Sequence, residues 1–168
     1  MPKNNKVQKH DIVVTRIIDA PVEEVWKAWT EPERVKTWWG PLGYTSPECK
    51  IDLREGGRFV FSMRAPKEIG GPDSYAAGTY RKIQPIKLLE FIQGLSDKEG
   101  NRVNPTIVGM PADFPQEIRT TVSFKRFRRD MTELSVTEFD WPVGQMFVYS
   151  IAGLNQSIDK LARTIQKH

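Results

Sequence analysis

The chain of 168 residues is poor in the side chains that most often carry enzyme chemistry. It contains one cysteine, Cys49, and two histidines, His10 and His168, which lie near the two ends of the sequence. One cysteine excludes an internal disulfide and a thiolate metal cluster, and we expect Cys49 to be a buried apolar filler. Two terminal histidines cannot form a Ser-His-Asp triad or a multi-histidine metal site in the body of the domain. We predict no metal, no cofactor and no catalytic residue.

Long hydrophobic runs are also absent. No apolar segment approaches the roughly 18 residues that a membrane span needs, and the basic first ten residues are not followed by the apolar stretch of a signal peptide. Hydrophobic residues make up 39% and charged residues 27% of the chain, as is typical of a soluble globular protein. We expect a cytoplasmic protein with a flexible basic arm over residues 1–10 and a single domain over residues 11–168.

The net charge of +4 belongs mostly to the predicted arm. Lys3, Lys6 and Lys9 contribute +3, and the rest of the chain carries 22 basic and 21 acidic side chains. Basic residues are locally dense in FKRFRRD (124–130), which could form a nucleic-acid-binding surface. A nearly neutral body favours a solvated strand end and hairpin turn there instead. We therefore predict no nucleic-acid partner.

The first quarter of the chain predicts one strand and two short helices. Residues 11–18, DIVVTRII, are rich in β-branched side chains and predict a strand. Apolar residues at helical spacing then predict a helix whose first residue is Pro21. Thr30 and Glu33 match a capping box, which predicts a second short helix ending at TWWGP (37–41).

The remaining chain predicts consecutive strands followed by one long helix. Residues 96–115 have no periodicity and form the longest predicted loop. Apolar residues four and three apart predict a helix over residues 144–167, about 36 Å long. Strands without intervening helices indicate an antiparallel sheet and an α+β fold. The predicted strands cover residues 49–53, 58–64, 75–83, 88–95, 117–127 and 132–139.

Five segments carry a recognisable pattern when taken together: DAPVEEVWKAWTEPERVKTWWGP, IDLREGGRFVFSM, GTYRKIQPIKLLEF, GMPADFPQEIRTTVSF and SIDKLARTI. They resemble the START-like (SRPBCC) superfamily, and within it the branch named after the activator of heat-shock-protein ATPase. The resemblance covers residues 11–166. It implies a helix-grip fold, in which a curved seven-stranded antiparallel sheet surrounds the C-terminal helix and leaves an apolar cavity between them.

The resemblance leaves three functions open. The favoured one is the non-enzymatic binding of a small apolar or amphipathic molecule in the cavity. The second is a chaperone-associated interaction module, which is disfavoured because the eukaryotic co-chaperone has a separate N-terminal domain and only ten residues precede the first strand here. The third is a cyclase- or hydrolase-type enzyme that uses a buried carboxylate or tyrosine. Polyketide cyclases and lipid carriers share the superfamily, so the fold alone does not decide the activity.

Strand alternation and the apolar stripe of the last helix predict the cavity lining. Adjacent helical residues point about 100° apart, so we expect one tryptophan of TWWGP (37–41) to pack under the sheet edge and the other to lie nearer the cavity mouth. That motif and the loop over residues 96–115 are the predicted entrance. The predicted ligand-binding residues are Trp38, Phe59, Phe61, Met63, Tyr80, Leu89, Phe91, Met146, Phe147, Ser150 and Leu154.

The competing functions make distinct demands on the cavity and the surface. The enzyme requires an ionisable side chain that projects into the cavity, and the candidates are Glu90, Glu117, Asp140 and Tyr80. A strand residue facing water is the favoured interpretation of each. The interaction module requires a large exposed apolar patch near the tryptophans or the basic hairpin.

Overall fold

A seven-stranded antiparallel sheet and a C-terminal helix form most of the structure, a computed structural model that describes residues 7–165. The predicted helix-grip α+β fold is confirmed. The strands are β1 (Lys9–Ile18), β2 (Cys49–Ile51), β3 (Arg58–Met63), β4 (Ser74–Gln84), β5 (Leu88–Ser96), β6 (Ile118–Arg126) and β7 (Thr132–Pro142). The helices are α1 (Val22–Thr30), α2 (Pro32–Val35) and α3 (Gln145–Ile165), with a 3₁₀ helix over Pro105–Val108.

The spatial order of the strands is β1-β7-β6-β5-β4-β3-β2. Consecutive strands from β2 to β7 are therefore paired with each other. The first strand, β1, pairs with β7, the last strand of the chain. The first strand begins at Lys9, so the predicted arm over residues 1–10 overlaps it, while residues 1–6 lie outside the described part of the chain. No helix of residues 7–165 is long and apolar enough to span a membrane.

The two short helices form close to their predicted positions, but by different local contacts, and α2 ends at Val35, before the predicted end at TWWGP (37–41). Pro21 precedes α1 as its N-cap residue and is not its first helical residue. The capping-box prediction is wrong, because the Thr30 hydroxyl donates back to the carbonyl oxygen of Trp26 at 2.9 Å. Glu31 is the N-cap residue of α2, and Pro32 occupies the first helical position. Proline suits that position because its φ is fixed and its missing N–H would have no helical partner there.

Large rings fill one part of the space between the sheet and the helices. The Phe59 ring lies 4.7 Å from that of Phe61, 5.3 Å from Tyr80 and 5.2 Å from Phe91. It also covers Gly78 on the neighbouring strand, where an added Cβ would be 2.4 Å from the Phe59 Cζ atom. Glycine is therefore the residue that allows this ring to lie flat on β4, and the result is a densely packed core.

The basic segment over residues 124–130 forms the end of β6 and the turn into β7. Two residues of this turn, Arg128 and Asp130, have positive φ angles of 54° and 63°. The Arg126 guanidinium donates a hydrogen bond to the Glu23 carboxylate of α1. The segment therefore has the hairpin geometry predicted from the sequence, and part of its charge is paired within the chain.

Candidate ligand-binding cavity

A partly open cavity of about 230 Å³ lies between the sheet and α3. Strands β3 to β7 form its floor, α3 forms its roof, and the segment after α2 together with Phe114 forms its sides. Most of the lining is apolar. The lining residues are Trp38, Trp39, Gly40, Pro41, Phe61, Met63, Ser74, Tyr75, Ala76, Gln93, Gly94, Leu95, Phe114, Ile118, Glu138, Trp141, Ser150, Gly153, Leu154 and Ser157.

Five of the eleven predicted ligand-binding residues lie in this lining, and six do not. Phe59, Tyr80, Leu89 and Phe91 belong to the packed core, where each is less than 5% exposed. Alternation placed them on the correct face of the sheet but could not tell which part of that face is covered by other side chains. Met146 and Phe147 pack against a second cluster around Trp141. The five in the lining are Trp38, Phe61, Met63, Ser150 and Leu154.

The two adjacent tryptophans have different surroundings although both contact the cavity. Trp38 is 1% exposed, and its Nε1 donates to the carbonyl oxygen of Ala28 at 2.8 Å. Trp39 is partly exposed, and its ring lies 4.7 Å from that of Phe61 on the cavity floor. The sequence prediction included only Trp38 in the lining. Gly40 follows with a φ of 105°, a left-handed conformation that favours glycine.

A lysine of α3 fixes the segment that follows the tryptophans. The Lys160 Nζ atom donates to the carbonyl oxygens of Gly40, Pro41 and Tyr44, at 3.1, 3.4 and 2.9 Å. Burial lowers the pKa of the Lys160 ammonium group. Three backbone acceptors compensate for that desolvation, so the cavity side over residues 40–44 is anchored to the helix.

Glu138 is a charged residue of the described lining that the sequence prediction did not include. In the sheet it lies between Ile12 of β1 and Thr120 of β6, on the face that meets α3. The Nε1 of Trp141 donates to its Oε1 at 3.0 Å. The Glu138 side chain is partly buried, and desolvation raises the pKa of its carboxyl to about 7, against the opposing effect of the Trp141 hydrogen bond.

A bulge in β7 brings Trp141 to the same side as Glu138. The register with β1 shifts between the pairs Ile12–Glu138 and His10–Trp141, and Asp140 has a φ of 59°. Residues three apart on a regular strand would face opposite sides. The extra residue of the bulge therefore places the side chains of Glu138 and Trp141 on the same face of the sheet. The Asp11 carboxylate accepts a hydrogen bond from the backbone N–H of Asp140, within the bulge, at 3.0 Å.

A buried amide adds a second polar group to the floor. Gln93 is 8% exposed, and its Nε2 donates to the Thr120 hydroxyl at 3.1 Å. Thr120 is the direct cross-strand neighbour of Glu138. The amide and the carboxyl therefore flank one threonine, while the aromatic rings of Trp39 and Phe61 lie toward β3. The polar end of the cavity, toward β7, also contains the rings of Trp141 and Phe114, and the end toward β3 contains those of Trp39 and Phe61.

The ionisable residues predicted from the sequence lie elsewhere. Glu90 accepts a hydrogen bond from Arg119 at 2.9 Å, and Glu117 lies 4.0 Å from the Arg102 guanidinium. Asp140 is exposed and forms the β7 bulge. None of these three carboxylates lies in the cavity lining of the described chain. The enzyme hypothesis therefore depends on Glu138 rather than on them.

Tyr80 and Cys49 are also outside the cavity lining. Burial raises the pKa of the Tyr80 hydroxyl, and burial raises the pKa of the half-buried Cys49 thiol to about 12. Both groups are therefore neutral at physiological pH, and the thiol is a poor nucleophile. Among residues 7–165, no group of three or more His, Cys, Asp or Glu side chains is placed to hold a metal ion.

The sequence did contain a signal for Glu138. In TELSVTEFDW, Leu134 and Val136 occupy the buried phase of the strand, and Glu138 continues that phase. A charged residue in the apolar phase of an otherwise regular strand is a candidate for a functional site. The contribution of Trp141 could not be found in this way, because alternation does not predict a bulge.

An antiparallel sheet that packs against a C-terminal helix, with a cavity between them, is the architecture of START-like proteins. The chain belongs to the family described as Activator of Hsp90 ATPase homolog 1-like protein, whose model matches residues 19–166. The predicted superfamily and branch are thereby confirmed. No curated protein is significantly similar to this sequence.

Several solved structures share the fold. A protein of Nitrosomonas europaea is 20% identical with a TM-score of 0.72, covering 94% of each chain. The AHSA1-like protein of Aeromonas hydrophila is 19% identical with a TM-score of 0.69, covering 94% of this chain and 93% of its own. CalU16 of Micromonospora echinospora is 25% identical with a TM-score of 0.61, covering 94% and 76%. At these identities the comparison establishes the architecture and not a ligand.

Proposed function

We propose that this protein binds a small apolar or amphipathic molecule in the cavity between the sheet and α3. The observation that carries the proposal is a void of about 230 Å³ with a largely apolar wall and a carboxyl and an amide at one end. Protein interiors otherwise leave few spaces larger than a water molecule. Apolar pockets with a few well-placed polar groups are the usual sites for small molecules.

The size of the cavity limits the ligand. An apolar cavity of about 150 Å³ holds benzene, whereas pockets for drug-sized molecules start at about 300 Å³. The cavity here lies between those values. A ligand enclosed within this volume is therefore a molecule of one or two rings, or a chain of comparable volume.

Native mass spectrometry tests the proposal directly. The protein is purified from its source under native conditions, and its mass is compared before and after denaturation. We expect a stoichiometric adduct that is lost on denaturation, and its mass limits the identity of the ligand. A protein that carries no adduct and binds none of a library of small apolar compounds would contradict the proposal.

A cavity-filling variant separates binding in the cavity from binding elsewhere. Ser150 lies in the lining on α3, and Ala152 is exposed on the same helix. Ser150→Trp should abolish the adduct by occupying the space, whereas Ala152→Trp should retain it. Circular dichroism melting curves establish that both variants are folded. Equal adduct on both variants would place the ligand outside the cavity.

A second candidate function, general acid–base catalysis, is favoured by the carboxyl of Glu138. Its pKa of about 7 is the value at which a carboxyl both donates and accepts protons near neutral pH. The test is to incubate the native ligand with the protein and follow its mass over time. Catalysis requires a product that forms with the unmodified protein and not with Glu138→Gln, although that variant still binds the ligand. Binding without any product supports a carrier or sensor.

Chaperone association rests on the name of the family alone. It predicts a direct complex between the purified protein and a purified Hsp90 chaperone, with a change in ATPase rate. The measurement is ATP hydrolysis by the chaperone with and without an equimolar amount of this protein. Unchanged hydrolysis and no co-elution in gel filtration would remove this function and leave the cavity proposal intact.

A further inference from the structure

We propose that the cavity selects an amphipathic amine, whose ammonium group pairs with Glu138 while its apolar body extends toward Trp39 and Phe61. The inference rests on the proposed function, because it assigns a chemical class to the ligand of the same cavity. It follows from three properties of the described lining: the sign of its charge, the hydrogen-bonding atoms that remain free, and the separation of its two ends.

The charge of the lining has one sign. Glu138 is its only charged side chain, and no lysine, arginine or histidine of the described chain lines the cavity. The Lys160 ammonium of α3 is bound to the carbonyl oxygens of Gly40, Pro41 and Tyr44 and lies outside the lining. A ligand with a negative charge would meet an unfavourable field, and one with a positive charge a favourable field.

The hydrogen-bond donors of the polar end are largely engaged within the protein. Trp141 donates to Oε1 of Glu138, and Gln93 donates to the Thr120 hydroxyl. The Ser157 hydroxyl donates to the carbonyl oxygen of Gly153. Two acceptors, Oε2 of Glu138 and Oε1 of Gln93, have no hydrogen-bond partner among residues 7–165, and the hydroxyl groups of Tyr75 and Ser150 in the lining can accept as well as donate. A ligand with several N–H donors complements such a surface, and an ammonium group has up to three.

No lysine, arginine or histidine of residues 7–165 forms a salt bridge with the Glu138 carboxyl. Its pKa is raised to about 7 by burial, with the Trp141 hydrogen bond as the one opposing contribution. Above that pH the folded protein therefore holds a partly buried carboxylate in the cavity lining, with no salt bridge to it among residues 7–165. An uncompensated buried charge is costly, and supplying its partner removes that cost. An ammonium ligand gains from this effect, whereas an alcohol of the same shape does not.

The two ends of the cavity are separated along the sheet. Glu138 lies on β7 and Phe61 on β3, four strand spacings away in the order β7-β6-β5-β4-β3. These two strands are the outermost of the five that form the floor of the cavity. An elongated amine is therefore able to place its charge at one end and its apolar body among the rings at the other.

Three probes of equal chain length test the preference: n-octylamine, 1-octanol and octanoate. Dissociation constants are measured at pH 8 by isothermal titration calorimetry, with quenching of tryptophan fluorescence as a second readout. We expect n-octylamine to bind at least about tenfold more tightly than 1-octanol, equivalent to about 1.4 kcal/mol, and octanoate to bind most weakly. A ring series with 1-naphthylmethylamine and 1-naphthylmethanol repeats the comparison for a bulkier body.

Substitutions identify the carboxyl that is responsible. Glu138→Gln should bring the amine to the affinity of the alcohol and leave the alcohol unchanged. Glu138→Asp, which keeps the charge, should retain part of the preference. Glu133→Gln is the matched control. Glu133 lies on the same strand but in the opposite phase, and its substitution removes the same charge. This variant should bind the probes like the unmodified protein.

The outcomes separate this inference from the proposed function. If amine and alcohol bind with equal affinity, the preference for an amine is wrong and the cavity still binds apolar molecules. If the amine preference survives in Glu138→Gln, the amine binds at another acidic position, and the assignment to Glu138 is overturned. If no probe of either series binds, the cavity proposal fails and the amine preference fails with it.

Discussion

The indole N–H of Trp141 donates to the Glu138 carboxylate at 3.0 Å from only three positions further along the same strand. Such a contact requires the strand to change phase between the two residues, and Asp140 provides that change with its left-handed backbone. The bulge therefore makes the hydrogen bond between these two side chains possible. It places a hydrogen-bond donor against the only charged side chain that residues 7–165 contribute to the cavity lining.

The first prediction concerns the pH dependence of stability. The pKa of Glu138 is about 7 in the folded protein and 4.5 ordinarily, so between those values the folded state holds a proton that the unfolded state releases. The contribution of this group to the free energy of unfolding is therefore fully present below pH 4.5 and is lost as the pH rises through 7. Relative to the unmodified protein, Glu138→Gln should gain about 3 kcal/mol between pH 4.5 and pH 8.

Urea denaturation at several pH values measures this difference. Other titrating groups cancel, because both proteins contain them. The neighbours of the carboxyl in the adjacent strands are uncharged, Ile12 on β1 and Thr120 on β6, and α3 contributes only serine, glycine and leucine to the lining. Glu133→Gln provides the control and should show no such gain. A constant difference between Glu138→Gln and the unmodified protein across this range would mean that the carboxyl titrates normally.

The second prediction concerns the hydrogen bond to the carboxyl. Trp141→Phe removes the donor that favours the ionised form and keeps an apolar ring in the second core cluster. The pKa of Glu138 should therefore rise above its value of about 7. A carbon-detected NMR titration of the side-chain carboxyl measures the change. An unchanged or lower pKa would show that the indole does not stabilise the carboxylate.

The third prediction concerns the bulge. Asp140→Val places a β-branched residue at a φ of 59°, which should lower the free energy of unfolding by about 1–2 kcal/mol. It should also raise the pKa of Glu138, because Trp141 loses its alignment. Asp140→Gly adopts the same φ without strain and should retain both properties. Thermal melting and the NMR titration are the measurements.

A matched control separates strain from the effect on the carboxyl. Asp130 also has a positive φ, of 63°, but lies in the turn between β6 and β7 and outside the cavity lining. Asp130→Val should lower the free energy of unfolding by a similar amount and leave the pKa of Glu138 unchanged. A pKa shift of equal size in both variants would show that general destabilisation, and not the bulge, is responsible.

The fourth prediction distinguishes packed core from cavity. In Gly78→Ala the added methyl group meets the Phe59 ring at 2.4 Å and the Ile92 carbonyl oxygen at 2.6 Å. We expect a loss of about 1–3 kcal/mol in the free energy of unfolding, typical of overpacking. Gly153→Ala is the control, because the nearest atom, in Pro41, is 4.0 Å away and alanine favours the helix. A Gly78→Ala variant as stable as the unmodified protein would show that the space near Phe59 is open.

The fold could be predicted from the sequence because its signals are local. Alternating residues such as Phe59 and Phe61 define strands, and the stripe that contains Ile158 and Leu161 defines α3, where both residues are fully buried. The resemblance then supplied the arrangement of these elements. Each prediction depended on periodicity within one segment, and the structure retains that periodicity.

The cavity was predicted less completely, because its position depends on packing between distant segments. Tyr80 and Phe91 share the face of Phe61, yet they lie 6.2 Å from each other in a filled cluster, whereas Phe61 borders the void. Sequence spacing cannot show where other elements cover a sheet. Glu138 was missed for another reason. Its position in the alternating pattern of β7 indicated that it faces the core, but the bulge that brings Trp141 next to it depends on the pairing of β7 with β1.

The closure of β1 onto β7 also determines when the chain can complete the cavity. Thr15 and Ser135, which share a hydrogen bond across this pairing, are 120 residues apart in sequence, whereas the pairings from β2 to β7 join strands that are consecutive in the chain. Contacts of such long sequence separation carry the largest loop-closure entropy and form late in folding. Ile12 and Glu138 meet at this junction, so we expect the wall beside the carboxyl to form only once the first strand has paired with β7.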